Sequence, residues 1–155
     1  MAAAGFAGSS RLRERCRAMM QVAHFVGPSA IAGAGLFAGA DVSAGATIYR
    51  YDERFVIKLA DAELDAMPPA VRAEFIKYCY RGRGEHRLVD AWYYCADDAR
   101  FFNHSDHPNA VWDESADAYL AARDIARGEE ITCDYRSFSE PGDYEFIAAD
   151  AEPAR

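Results

Sequence analysis

The sequence lacks three features, and each absence excludes a class of protein. No apolar run approaches the roughly 20 residues that a membrane-spanning helix needs, so no such helix is predicted. The four cysteines, at positions 16, 79, 95 and 133, never form a C-x-x-C pair, which argues against a structural zinc site. Unpaired cysteines and the absence of a signal-peptide core predict a protein of the reducing cytoplasm.

The sequence also has fewer basic residues than acidic ones. The 155 residues include 25 Asp and Glu against 17 Lys and Arg, a net charge of −8. Because binding to nucleic acid needs a basic surface, we expect no direct contact with DNA or RNA. The charge suits a basic protein partner, although on charge alone an acidic surface that keeps the protein soluble is the simpler explanation.

Turn residues recur about every eight to twelve positions, which is typical of a mainly β domain. We place this domain at 21–138, between an N-terminal tail (1–20) and a short C-terminal flap and tail (139–155). Strands are predicted at 22–26, 47–51, 55–59, 87–90, 110–113, 119–122 and 130–134. The segments 109–114 and 118–123 are predicted to pair as a hairpin.

A helical insert at about 61–81 interrupts the strands. Its apolar residues recur at helical spacing and form one face: Val71, Phe75, Tyr78 and Cys79. Pro69 suits the first turn of this helix, and Gly82 and Gly84 predict its end.

Three motifs contain residues that a hydrophobic core does not require. The first, at 33–37, has two glycines that let the backbone approach a ligand, although a plain β-turn explains it too. The second, RFFNHSDHPN at 100–109, places Asn103 beside His104, and both would need polar partners if buried. The third, GEEITCDY at 128–135, is a strand that ends at Tyr135, which a half-buried strand aromatic would also explain.

Two other kinds of chemistry fit these residues poorly. His104 and His107 are potential metal ligands, but no third ligand lies nearby in the sequence, so no metal site is predicted. A hydrolytic triad from Ser105, Asp106 and either histidine is geometrically poor, because adjacent residues of a strand point to opposite faces.

Taken in order, the three motifs resemble the signature of the SET domain family of protein-lysine methyltransferases. The resemblance covers about residues 21–138. It implies a mainly β SET (β-clip) fold with short helices, and a knot-like C-terminal thread that brings 103–105 beside 132–135. It also implies S-adenosyl-L-methionine as the cofactor, S-adenosyl-L-homocysteine as the product and a protein lysine as the methyl acceptor.

The resemblance assigns roles to individual residues. Tyr135 matches the active-site tyrosine, which we expect to position the lysine and not to act as a nucleophile. The substrate channel is expected to include Tyr51, Cys133 and Trp112, with core packing an equal alternative for Trp112. The implied cofactor contacts are Gly33, Gly35, Leu36, Phe37, Arg100, Asn103, His104 and Tyr135.

Two departures from the family pattern lead to further expectations. Many members have an aromatic residue where this chain has Cys133, so we expect a roomier channel and di- or trimethylation. The cysteine-rich segments that flank many eukaryotic members are missing, and an aromatic residue must still cover the adenine. The candidates are Phe138, Tyr144 and Phe146.

This minimal form resembles stand-alone bacterial or viral SET proteins. The Ala- and Arg-rich composition fits a bacterial cytoplasmic protein, with a secreted effector acting in a host nucleus as the alternative. A basic protein tail, a histone among others, suits the acidic chain as substrate, and a homodimer is compatible with the small size. The competing interpretation is a catalytically silent SET-like module that binds a peptide, although the presence of Asn103, His104 and Tyr135 weighs against it.

Overall fold

Short strands in three sheets make up most of the regular structure in the computed structural model, which describes residues 19–140 and 142–143. The strands are β1 (Met19–Met20), β2 (His24–Pro28), β3 (Ala34–Ala38), β4 (Thr47–Arg50), β5 (Val56–Ala60), β6 (Cys79–Tyr80), β7 (Ala91–Cys95), β8 (Asn103–His104), β9 (Ala110–Asp113), β10 (Ala118–Ala121) and β11 (Glu130–Cys133). This mainly β architecture with short helices confirms the predicted fold class.

The three sheets have the strand orders β1-β4-β10-β9, β2-β3-β11-β8 and β5-β7-β6. The predicted hairpin is confirmed, because β9 and β10 pair antiparallel with Asp113 opposite Ala118. Asp117 turns the chain with a positive φ of 49°, a conformation that Asp tolerates better than most residues. The hairpin places Trp112 opposite Tyr119, and both rings take part in the site described below.

The strand predicted at 87–90 is wrong. Residues 84–86 form a 3-10 turn, and the strand β7 begins only at Ala91. Val89, which suggested a strand, is 80% exposed. The aromatic run from Trp92 to Tyr94 forms the strand instead, between β5 and β6.

The helical insert consists of α1 (Asp61–Asp65) and α2 (Pro69–Phe75), followed by a 3-10 turn at Ile76–Tyr78. Pro69 lies in the first turn of α2, as expected. The predicted apolar face is buried only in part. Phe75 stacks on Tyr94 with ring centroids 4.8 Å apart, whereas Val71 is 54% exposed. Helical spacing therefore located the helix but not the depth to which it is buried.

The main core lies between the first two sheets. Its fully buried side chains include Leu36, Ile48, Ile125 and Ile131, and they come from strands of both sheets and from the bridge that joins Val42 to Ile125. This core fixes the strands that carry the three motifs.

At the N-terminal end, Met19 and Met20 pair with β4, so the first sheet begins inside the segment 1–20 that was assigned to the tail. Residues 1–18 lie outside the described residues, as do Tyr144 and Phe146. Across 19–140 and 142–143, no helix combines the length and apolar character that crossing a membrane requires.

Candidate active site

A parallel strand pair brings the second and third motifs together. β8 pairs with β11, with Asn103 opposite Thr132 and His104 opposite Cys133. The Ser105 amide extends the pairing by donating to the Cys133 carbonyl at 3.0 Å. The predicted approach of 103–105 to 132–135 is thus confirmed. The site is built where these two strands end.

Asn103 is 8% exposed, and the donor end of its side chain is directed into the protein. Its amide nitrogen Nδ2 lies 2.7 Å from Oε1 of Glu130 and 3.2 Å from the carbonyl oxygens of Ala32 and Ala34. These three acceptors fix the orientation of the amide, because its oxygen would be repelled in their place. No protein donor in the described part of the chain bonds to Oδ1, so the acceptor end of Asn103 faces away from these groups.

The two glycines of the first motif have different environments. Gly33 has a φ of +48°, and nothing lies within 4 Å of the position that a Cβ would take. Gly35, within β3, has no such space, because a Cβ there would collide with the carboxylate of Glu130. Of the other two predicted contacts of this motif, Leu36 is fully buried in the core, and Phe37 stacks on Phe25 with ring centroids 5.4 Å apart.

Tyr135 is held at both its backbone and its hydroxyl. Its amide donates to Nδ1 of His104 at 3.2 Å, so in the neutral imidazole the proton is carried by Nε2, which lies 3.5 Å from Asp106. The Tyr135 hydroxyl donates to the carbonyl oxygen of Phe102 at 2.6 Å. His104 thus fixes the backbone of Tyr135, and the Phe102 carbonyl, which directly precedes β8, fixes its hydroxyl.

A cavity of about 700 Å³ opens in front of Tyr135. It is lined by all three residues predicted for the substrate channel (Tyr51, Trp112 and Cys133) and by Arg100. The predicted contacts at 33–37, Asn103 and His104 do not line it. Ten of its lining residues are aromatic: Tyr49, Tyr51, Tyr78, Tyr80, Tyr93, Phe102, Trp112, Tyr119, Tyr135 and Phe138.

Trp112 is packed and exposed at once. Its ring meets Tyr119 edge-on at 5.3 Å, while 36% of the residue remains accessible to solvent. Tyr51 is 41% exposed, so both side chains lie at the open end of the cavity. Cys133 is only 2% exposed and belongs to the deep end.

Arg100 contributes structure to the same wall. Its guanidinium donates to the Asp97 carbonyl at 2.7 Å and stacks over the Phe101 ring at 4.5 Å. Both contacts hold the 3-10 turn that precedes β8.

Four buried polar groups of the cavity wall, three tyrosine hydroxyls and one thiol, are uncharged at neutral pH. Burial raises the pKa of the Tyr49, Tyr80 and Tyr119 hydroxyls well above the ordinary value. Burial also raises the pKa of the Cys95 thiol to about 12. Such a cavity can accept a neutral amine but offers no anionic base on these four residues.

Charged residues lie around the aromatic walls. Glu85, Glu114 and Asp117 contribute acidic groups, while Lys77 and Arg83 contribute basic ones. In 19–140 and 142–143, no three side chains among His, Cys, Asp and Glu are grouped so that they could hold a metal ion.

Three residues of the site were not identified from the sequence. Tyr119 forms a deep wall of the cavity, and the hairpin register opposite Trp112 is the signal that would have identified it. Tyr49 carries no comparable signal beyond its strand. Glu130 lies inside the third motif, but its contact with Ser29 joins residues 101 positions apart, which no local pattern shows.

Comparison with known proteins identifies a family and similar solved structures. The structure is similar to the crystal structure of a Plasmodium falciparum protein described as a candidate histone methyltransferase, with 18% sequence identity and a TM-score of 0.48, covering 75% of this chain and 95% of that one. No curated protein matches the sequence. The model of the SET domain family matches residues 33–136, more than half of the chain, and the chain therefore belongs to the SET domain family.

Proposed function

We propose that this chain is an S-adenosylmethionine-dependent protein-lysine N-methyltransferase. The observation that carries the proposal is the β8–β11 pair, which brings the oriented amide of Asn103 close to Tyr135 beside an aromatic cavity. Membership of the SET domain family supports the same activity.

The residues around Asn103 fit the cofactor. Oδ1 of Asn103 is an acceptor that has no donor in the described part of the chain, and the ammonium group of a bound amino acid would supply one. The open space at Gly33 leaves the loop backbone accessible to a ligand. Gly33, Asn103 and His104 would contact the cofactor directly. Gly35 and Leu36 would support the site indirectly, Gly35 through its backbone and Leu36 through its packing in the core.

When bound, S-adenosylmethionine supplies a methyl group on a sulfonium, which the lysine Nζ takes as the carbon–sulfur bond breaks, leaving S-adenosylhomocysteine. The protein has to present this Nζ without its third proton. Free lysine has a pKa of about 10.4 and is almost fully protonated at neutral pH. Transfer into a cavity walled by neutral phenols disfavours the ammonium form, so the proton is lost to solvent as the side chain enters.

Tyr135 would then align the amine. Its hydroxyl proton is committed to the Phe102 carbonyl, which leaves the phenol oxygen as the atom that faces the reacting amine. A hydroxyl held in this way orients its partner and contributes to electrostatic stabilisation without forming a bond to it. The same hydrogen bond makes a role as general acid unfavourable.

A basic protein segment is the substrate that the charge distribution favours. The net charge of −8 and the acidic groups Glu114 and Asp117 at the cavity attract positive peptides, of which histone tails are one class. The small side chain of Cys133 at the deep end supports the addition of two or three methyl groups.

Two measurements test the proposal. Titration of the purified chain with S-adenosylmethionine in a calorimeter should show saturable binding, and incubation with labelled cofactor, histones and cell lysate should label protein lysines. Tyr135→Phe serves as the control that retains cofactor binding. A chain that binds a basic peptide but no cofactor would establish the silent binding module and sink the proposal.

A further inference from the structure

Glu130 joins three parts of the site through one carboxylate. Its Oε1 lies 2.7 Å from Nδ2 of Asn103, and both of its oxygens accept from the Ser29 hydroxyl, at 2.8 and 2.9 Å. The same carboxylate fills the space over Gly35. We infer that Glu130 is a positioning residue that orients the Asn103 amide and the segment 29–35, which is the turn after β2 and the start of β3, for the cofactor. The inference rests on the proposed function.

The orientation of Asn103 follows from charge. A carboxylate accepts hydrogen bonds and donates none, so it selects the Nδ2 end of the amide. The Ala32 and Ala34 carbonyls, each 3.2 Å from Nδ2, make the same selection more weakly. A reversed amide would place its oxygen against three other oxygens. Glu130 thereby keeps Oδ1 turned toward the ligand.

The segment that carries the Ala32 and Ala34 carbonyls also depends on the Glu130 carboxylate. The Ser29 hydroxyl, while donating to Glu130, accepts from the Ile31 amide at 2.9 Å, and the Ser29 amide donates to the Gly33 carbonyl at 3.0 Å. These bonds close the turn between β2 and β3. If the carboxylate were removed, Ser29 would lose its anchor and the carbonyls that assist Asn103 would be less well fixed.

Glu129 provides a matched control on the same strand entry. It bonds to Arg123, to the Asn109 amide at 3.2 Å and to the Ala126 backbone at 3.1 Å, but to neither Ser29 nor Asn103. The Glu129 carboxylate is therefore hydrogen-bonded to three neighbours, and the Glu130 carboxylate to two. A loss of stability is expected from either substitution, whereas a loss of cofactor affinity is expected only at Glu130.

The test is calorimetric titration of S-adenosylmethionine into the wild type, Glu130→Ala, Glu130→Gln and Glu129→Ala, with a thermal melt of each. Glu130→Ala should raise the Kd by about tenfold or more, the effect of losing hydrogen bonds to a charged group. Glu130→Gln should stay within about threefold, because a glutamine can accept from Asn103 and donate to Ser29. Glu129→Ala should leave the Kd unchanged while lowering the melting temperature.

A further variant covers the case in which Glu130→Ala does not fold. Ser29→Ala leaves the carboxylate in place but releases the loop, and it should also raise the Kd several-fold. The inference is overturned if the folded Glu130→Ala, or Ser29→Ala in its place, binds the cofactor as the wild type does. Failure of the proposed function is a separate result, because the wild type itself would then show no binding.

Discussion

The Tyr135 hydroxyl donates to the backbone carbonyl of Phe102 at 2.6 Å. Phe102 immediately precedes Asn103, so the residue proposed to align the lysine is tied to the strand that carries the proposed cofactor amide. Phe102 also packs edge-on against Tyr49 with ring centroids 6.3 Å apart. The amine side and the cofactor side of the site are thus attached to the same strand, β8.

Tyr135→Phe removes that hydroxyl and leaves the ring. We expect methyl transfer to fall by about 100-fold or more, as when a positioned hydrogen-bonding group is removed from an active site. The affinity for S-adenosylmethionine should change little, because Asn103 and His104 keep their places. Rates measured with labelled cofactor, together with calorimetric binding, separate the two effects.

The cost to folding should be modest. Loss of the bond to Phe102 removes about 1 kcal/mol of stability, since its carbonyl is left with one partner fewer. A variant that methylates at the wild-type rate would remove Tyr135 from the mechanism.

The sequence predicted parts of this arrangement whose signals are local. The β9–β10 hairpin follows from the turn residues between its strands, and the helix α2 follows from spacing and Pro69. The approach of Asn103 to Thr132 came from family resemblance, because no local pattern predicts the pairing of β8 with β11. The carboxylate over Gly35 was not predicted at all.

A sequence pattern can indicate that a residue has a close neighbour, but it does not identify that neighbour. Glycine at position 35 indicates that something approaches the backbone closely, and the cofactor was the expected neighbour. The structure shows the Glu130 side chain there instead. Val71 is a similar case. Its spacing indicates a helix, but its exposure depends on whether another part of the fold covers it. Only the tertiary fold shows which side chain lies next to such a position.

Gly35 and Glu130 should therefore be coupled energetically. Gly35→Ala forces the carboxylate away from Asn103 and Ser29, and overpacking of this kind costs about 1 to 3 kcal/mol. In a Glu130→Ala background the added methyl has room, so the same substitution should cost much less. Chemical denaturation of the two single variants and the double variant measures the coupling. Additive costs would mean that Ser29, the other neighbour of that position, sets the constraint.

Cys133 should determine how many methyl groups fit. The wild type, with a small side chain at the deep end of the cavity, is expected to give di- and trimethyl-lysine. Cys133→Phe places a ring next to the reacting amine and should shift the product to monomethyl-lysine. Intact-mass and peptide mass spectrometry at several time points distinguish these products.

Cys133→Ala is the matched control, since it keeps the space open and should keep the wild-type distribution. A wild type that stops at monomethyl-lysine would show that another wall, Tyr119 or Trp112, limits the channel. The rate of the first transfer should be compared between variants, so that slow chemistry is not mistaken for a smaller site.

Asp97 should give the protein a pH-dependent loss of stability. Its Oδ1 accepts from the Ala99 amide at 3.1 Å, but its Oδ2 is buried with no hydrogen-bond partner among the described residues. Burial raises the pKa of this carboxyl, with the charge of Asp98 adding to the effect. Between the unfolded value and the raised folded value, the native state binds more protons than the unfolded state. Stability contributed by Asp97 is therefore lost as the pH rises through that window.

Asp97→Asn retains an acceptor for Ala99 and has no charge to bury. Relative to the wild type, its free energy of unfolding should increase as the pH rises above about 4, the ordinary pKa of an aspartate, because the wild type must then bury an ionised carboxylate. Urea denaturation at four pH values on both sides of this pKa measures the difference. A constant difference between Asp97→Asn and the wild type at all four pH values would show that Asp97 keeps the same protonation state in the folded and unfolded chains.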